Sequence, residues 1–173
     1  EANLQGASLI RADLRGACLR GTRMEGADLS AADLREGRLM AQEKNGAIAD
    51  NKSSDTGKAR GDGTDLRGAN LSGAKLMGVR ATNADFQDAN LTGANIMRGN
   101  FRGATLQGAN LHNADLSMCD LSACNLRAAV MTDAKTQSTN MVGADTSGSF
   151  GSVAVGPTLD SLPLPFEEML KQH

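Results

Sequence analysis

From Leu66 to Met141 a large apolar residue returns at every fifth position, and nothing else in the chain restricts its fold so strongly. The series runs Leu66, Leu71, Leu76, Phe86, Leu91, Ile96, Phe101, Leu106, Leu111, Leu116, Leu121, Leu126, Met131 and Met141, and a small residue stands two positions ahead of each. Of the seventeen central positions from 66 to 146, only Ala81, Thr136 and Thr146 lack a large apolar side chain. A helix repeats its apolar face every 3.6 residues and a strand every two. A period of five sustained over this length fits neither and has to be read as an internal repeat.

Five residues are too few to bury a core alone, so each unit must stack on copies of itself, as the turns of a solenoid do. The units Ala69-Asn70-Leu71-Ser72-Gly73, Ala89-Asn90-Leu91-Thr92-Gly93 and Ala109-Asn110-Leu111-His112-Asn113 resemble the A(D/N)LXX units of the pentapeptide repeat family. The similarity extends over residues 2–39 and 64–146. It implies an all-β fold, a right-handed quadrilateral β-helix with one unit per side and four per coil. The central residue and the small residue two before it would point inward, and the other three positions would face outward or form corners.

Composition agrees with a thin solenoid. The 173 residues include no Trp, no Tyr and four Phe, which leaves an ordinary globular core short of volume but suits a narrow core of Leu and Ala. Three cysteines do not make a disulfide framework. Cys119 and Cys124 fall on the small inward position and read as substitutes for Ala in a reduced core. No run is long or apolar enough for a membrane span and no signal peptide is visible, so the expectation is a cytoplasmic protein.

The repeat is already running at Ala2-Asn3-Leu4, which predicts that Glu1 is internal to a longer protein or a trimmed end. Repeats continue through Leu39 in unbroken phase. Residues 40–63 then interrupt them with Gly, Ser and alternating charge, a loop composition. Leu66 lies 27 residues after Leu39, five repeats plus two, so phase is lost and recovered. A solenoid accommodates such an excursion by leaving and re-entering at a corner, and long loops of this kind are often functional. Ser53, Ser54 and Asp55 are therefore candidate contact residues. Residues 147–173 are expected to be a linker and a capping tail, with Pro165 opening a short helical or extended cap in which Phe166, Met169 and Leu170 share one face. That tail either covers the last coil or pairs with a second copy to make a homodimer.

Four repeats per coil place residues twenty apart above one another. Asn70, Asn90 and Asn110 form one outward column, read as an amide ladder. Asp65 and Asp85 form another, continued by Thr105 and Asn125, whose simplest role is in turn geometry. Met77 and Met97 stack on a third face with Met118 one position off their column, and stacked exposed Met makes an adaptable contact patch or packs beneath the loop or tail.

Chemistry finds little to work with. His112 and His173 are the two histidines, so no His-based triad or metal cluster assembles, and no catalytic, metal or cofactor site is expected. Residues 64–146 balance seven Asp against seven Lys and Arg, and the net charge of −2 arises in the tail. With no net positive surface and no aromatic platform, direct nucleic-acid binding is not expected. The reading is a non-catalytic scaffold for a protein partner, one module of a longer protein. The alternative comes from the resemblance: quinolone-resistance members of the family mimic DNA and bind type II topoisomerases such as gyrase. Such mimicry needs a coherent negative face.

Overall fold

The computed structural model describes residues 2–40 and 63–151. In these residues the chain winds into a quadrilateral β-helix. Each side pairs with the sides above and below through a single parallel bridge, and within a block the bridged residues are twenty apart, as in Asp65 with Asp85, Asn70 with Asn90, Lys75 with Asn95 and Arg80 with Asn100. Four repeats therefore make one coil. The four faces are entered in order at Asp65, Asn70, Lys75 and Arg80, and they are called here the first to the fourth.

Where Asp or Asn precedes the center, the five-residue unit satisfies every backbone N–H it contains. Around Leu66, the N–H groups of Leu66 and Gly68 donate to Asp85 and Gln87 of the next coil at 2.7 and 2.9 Å, and that of Asn70 donates to Ala27 of the previous one at 2.9 Å. The N–H of Ala69 closes the corner onto the Leu66 carbonyl at 3.0 Å. The remaining donor, Arg67, is taken by Oδ1 of Asp65 at 3.2 Å. This explains why Asp or Asn precedes the central residue: a short side-chain acceptor two residues back caps the one N–H that the ladder cannot use. The same contact recurs from Asn3–Gln5 to Asp145–Ser147.

Each corner also needs a left-handed residue two after the central one, the third position of a type II turn. Glycine supplies it at Gly68, Gly73 and Gly78, but Arg98, Met118, Ala123 and Ala128 adopt it too, with φ between 53° and 61°. Repetition thus enforces a backbone that L residues normally avoid.

The core is a column of central residues and their small partners, buried from Met24 to Met131. Phe86 and Phe101 share one coil with ring centroids 5.4 Å apart, tilted by 47°. Leu4, Leu9, Leu14 and Leu19 in the first described coil are only partly buried, as are Met141 and Ala144 at the other end.

Two sequence expectations are refined. The coil is continuous across residues 41–62: Arg23 bridges Asp65 and Arg38 bridges Arg80, so the bridge offset lengthens from 20 to 42 residues. Thr64 takes the small inward place, donating its N–H to the Leu39 carbonyl at 2.9 Å. The linker expected from Ser147 starts too early. Ser149 N–H closes a further corner onto Thr146 at 3.0 Å and Phe150 bridges Val130, so these residues belong to the coil. The corner chemistry matters more than the apolar center, because Thr146 still turns the chain.

Candidate interaction surface

With the backbone closed on itself, only side chains on the four faces can distinguish one part of the surface from another. On the second face the expected ladder forms in part: Asn90 donates through Nδ2 to Oδ1 of Asn70, which donates in turn to Asp28, each at 3.3 Å. Asn110 completes the column and accepts the His112 N–H at 3.0 Å.

On the first face Asp65 and Asp85 stack as expected, with Thr105 and then Asn125 above. Arg67 serves three coils at once, 2.8 Å from Asp65, 3.8 Å from Asp85 and 3.4 Å from Glu25. Its hydrogen bond to Asp65 raises its pKa further above the ordinary arginine value. The stacked carboxylates thus share one guanidinium, and each gives its Oδ1 to a turn N–H. Elsewhere the same turn contact depresses carboxyl pKa values. Asp13 falls to about 2, chiefly through the Arg15 side chain and then the Arg15 N–H. Asp28 is lowered first by the Ser30 N–H, and Asp33 first by the Arg35 side chain.

On the third face Met77 and Met97 occupy successive coils of one column, held in register by the Gly78 N–H donating to the Met97 carbonyl at 3.0 Å. Met77 is exposed and Met97 half-buried. Met118 stands one place along at a left-handed corner and is 54 % exposed, directly in the column of Arg98. Ser53, Ser54, Asp55, Phe166, Met169 and Leu170 lie outside the described residues.

Cys119 and Cys124 occupy the small inward site as expected, but they do more than fill volume. Their thiols donate to the carbonyls of Ile96 and Phe101 in the previous coil at 2.9 and 2.8 Å. Thr139 repeats the contact to Leu116 at 2.7 Å. Burial pushes both thiols up to about 12, so they are unreactive at neutral pH. Cys18 is free and exposed. Among the described residues no cluster of three or more His, Cys, Asp or Glu could hold a metal ion, and no helix is long and apolar enough to cross a membrane.

Sequence reasoning missed the fourth face. There the residue before the center is Cys18, Arg38, Arg80 or Asn100 in the first four coils, and Arg20 and Arg102 follow the center. The 22 inserted residues hide the stacking of Arg38 on Arg80 from any count by twenties.

The family model for pentapeptide repeats matches in eight copies over residues 1–39, 54–80, 62–98, 82–122 and 109–148. No curated protein matches. Among solved structures, the chain is similar to HetL, a pentapeptide repeat protein involved in heterocyst differentiation regulation from the cyanobacterium Nostoc sp. strain PCC 7120. Identity is 30 %, the TM-score is 0.59, and the match covers 86 % of this chain and 61 % of that one. A thylakoid-lumen pentapeptide repeat protein of Arabidopsis thaliana matches at 26 % identity over 62 % of this chain and 72 % of its own, with a TM-score of 0.42. QnrB1, a plasmid-mediated fluoroquinolone resistance protein, matches at 20 % over 86 % and 72 %, with a TM-score of 0.35. Family model, corner chemistry and coil agree, and the chain belongs to the pentapeptide repeat family.

Proposed function

We propose that these coils form a rigid, non-catalytic scaffold that binds a protein partner through columns of side chains, as one module of a longer protein. The observation that supports the reading is the set Met77, Met97 and Met118, of which Met77 and Met118 are exposed and Met97 half-buried, on a surface whose backbone offers no free ladder. Adaptable thioether side chains suit protein contact. Six stacked coils at a spacing of about 4.8 Å make a rod of about 30 Å along which such a patch is held in fixed register. The right-handed sense of the coil, a capping or dimerising role for residues 152–173, a contact role for the 41–62 excursion and a cytoplasmic location belong to the same proposal. They rest on the family resemblance and on the composition of those segments. DNA mimicry of the quinolone-resistance kind is not favoured, because seven Asp meet seven basic residues between 64 and 146 and Arg67 sits among the carboxylates of the first face.

The test is the double variant Met77→Glu with Met97→Glu, compared with the parent by native mass of complexes isolated from source cells and by thermal unfolding. The expected result is an unchanged Tm and a lost partner. A large fall in Tm would show instead that these side chains are packed under another segment, and a retained partner would remove the patch from the interface.

A further inference from the structure

We propose that the fourth face, over its first four coils, binds an acidic polypeptide segment of a partner. Arg20, Arg38, Arg80 and Arg102 lie on this face and Arg98 at the corner leading into it, and none makes an ion pair or side-chain hydrogen bond among the described residues. The contrast with other arginines is local and chemical. Arg15, Arg35 and Arg67 follow an Asp by two residues and close an ion pair on it at 2.7, 2.6 and 2.8 Å. On the fourth face the position that would supply the carboxylate holds Cys18, Arg38, Arg80 and Asn100 instead. Arg38 bridges Arg80 directly, like charge on like charge, a destabilising arrangement for stacked side chains. Nε of Arg20 is shielded from solvent with no acceptor. A row of guanidinium donors without partners among the described residues is open to carboxylates supplied from outside, which form the stronger charge-assisted hydrogen bonds.

The shape of the row selects the kind of anion. Asp13 and Asp33 line the third face on one side, and Asp65 and Asp85 line the first face on the other. Arg15, Arg35 and Arg67 close ion pairs on these carboxylates, so the uncompensated positive strip is one face wide, and a duplex broader than that face would set most of its phosphates over neutral margins. One extended polypeptide fits. Four coils at about 4.8 Å give a row of about 14 Å, the length of four or five extended residues. The proposal rests on the reading of these coils as a binding rod, but it uses a different face from Met77 and Met97.

The experiment uses the full chain and a fluorescent oligoglutamate of about ten residues, long enough to span the row at ~3.3 Å per residue, followed by anisotropy at ~0.05 and ~0.15 M salt. Arg38→Gln with Arg80→Gln should weaken binding about tenfold or more. Arg11→Gln with Arg127→Gln removes the same charge from other faces and should leave binding nearly unchanged. Both sites are exposed, so circular dichroism should be that of the parent. Equal losses in the two variants, no binding by the parent at low salt, or tighter binding of a single-stranded oligothymidylate than of oligoglutamate would each overturn the assignment. The Met77→Glu, Met97→Glu variant separates the two readings: it should keep the oligoglutamate even if its natural partner is lost, and loss of the probe there would remove the site from the fourth face.

Discussion

Gly99 occupies a place that holds Ala in most repeats, and its substitution decides how tightly the core is packed. Its φ is not left-handed, so Gly→Ala would ordinarily stabilise by about 0.4–1 kcal/mol through the unfolded chain. Here an added Cβ would stand 2.6 Å from Cε2 of Phe101 and 2.9 Å from the Ile96 carbonyl oxygen. Phe101 is 1 % exposed and tilted against Phe86, so its ring has no open space to enter. Overpacking of this kind costs about 1–3 kcal/mol, which exceeds the entropic gain and leaves Gly99→Ala a net loss of about 1–2 kcal/mol. The Ile96 carbonyl also accepts the Cys119 thiol, so a shift there is felt in the next coil. Phe101→Leu alone should lose about 1–3 kcal/mol by leaving space beside Phe86. The double variant should be more stable than the sum of its parts by about 1 kcal/mol or more, since the shorter leucine side chain vacates the volume that the added methyl group claims. Guanidinium unfolding followed by circular dichroism measures all four proteins. Additive losses, or a Gly99→Ala protein more stable than the parent, would refute the argument and show that the corner relaxes around the methyl group.

Three further outcomes follow from the same geometry. Ala123→Gly should raise stability by about 1 kcal/mol by relieving a left-handed φ of 55°, whereas Ala114→Gly, on an ordinary inward site, should lower it by about as much; denaturant midpoints of the two variants must move in opposite directions. Leu106→Lys buries a charge with no partner and should cost several kcal/mol, so survival of the parent's circular dichroism would sink the inward assignment. Asp13, Asp28, Asp33 and Asp145 have folded pKa values below their unfolded ones, so they contribute stability present above about pH 4 and lost as pH falls below it, for Asp13 as pH nears about 2. Replacing Asp28 and Asp145 by Asn, which keeps the Oδ1 acceptor, should flatten that acid limb in a pH titration of the denaturation midpoint.

The apolar period is enough to read the coil, the stacking by twenties and the inward pairs, because burial and period are the same fact in a repeat this short. Where the period carries no apolar signal, the reading stops early: Ser147 looks like linker although its N–H is capped by Asp145 at 3.0 Å, the contact that begins at Asn3. The cysteines are legible as volume but not as donors, since a thiol pointed at a carbonyl 23 residues back leaves no mark in composition. The excursion after Leu39 conceals which residues of the first eight repeats lie over which of the later ones. The unpaired arginines count as part of a neutral total, and only the coil shows that the neutralising carboxylates sit on other faces.

A neutral solenoid becomes selective through where its charges stand. The coil uses its ladder N–H groups internally, so a partner cannot add a strand to a face and must read side chains alone. Two residues in five face outward away from the corner's glycine position, and the coil forms even where the residue before the center is no acceptor, as at Arg38, Lys75, Arg80 and Val130. Where that residue is Asp and the residue after the center is Arg, as at Asp33 and Arg35, the pair closes on itself and offers little to a partner. Exchanging the acceptor for Arg, as at Arg38 and Arg80, gives up a turn contact and adds a cation with no carboxylate in its own repeat. The loss of the N–H cap at Met40 and Thr82 is thus the structural cost of the basic strip. Restoring the acceptor with Arg80→Asp should therefore stabilise the coil by about 0.5–1.5 kcal/mol, the net worth of one hydrogen bond, while weakening oligoglutamate binding. A loss of both stability and binding in Arg80→Asp would show instead that Arg80 holds the coil, and would remove it from the proposed site.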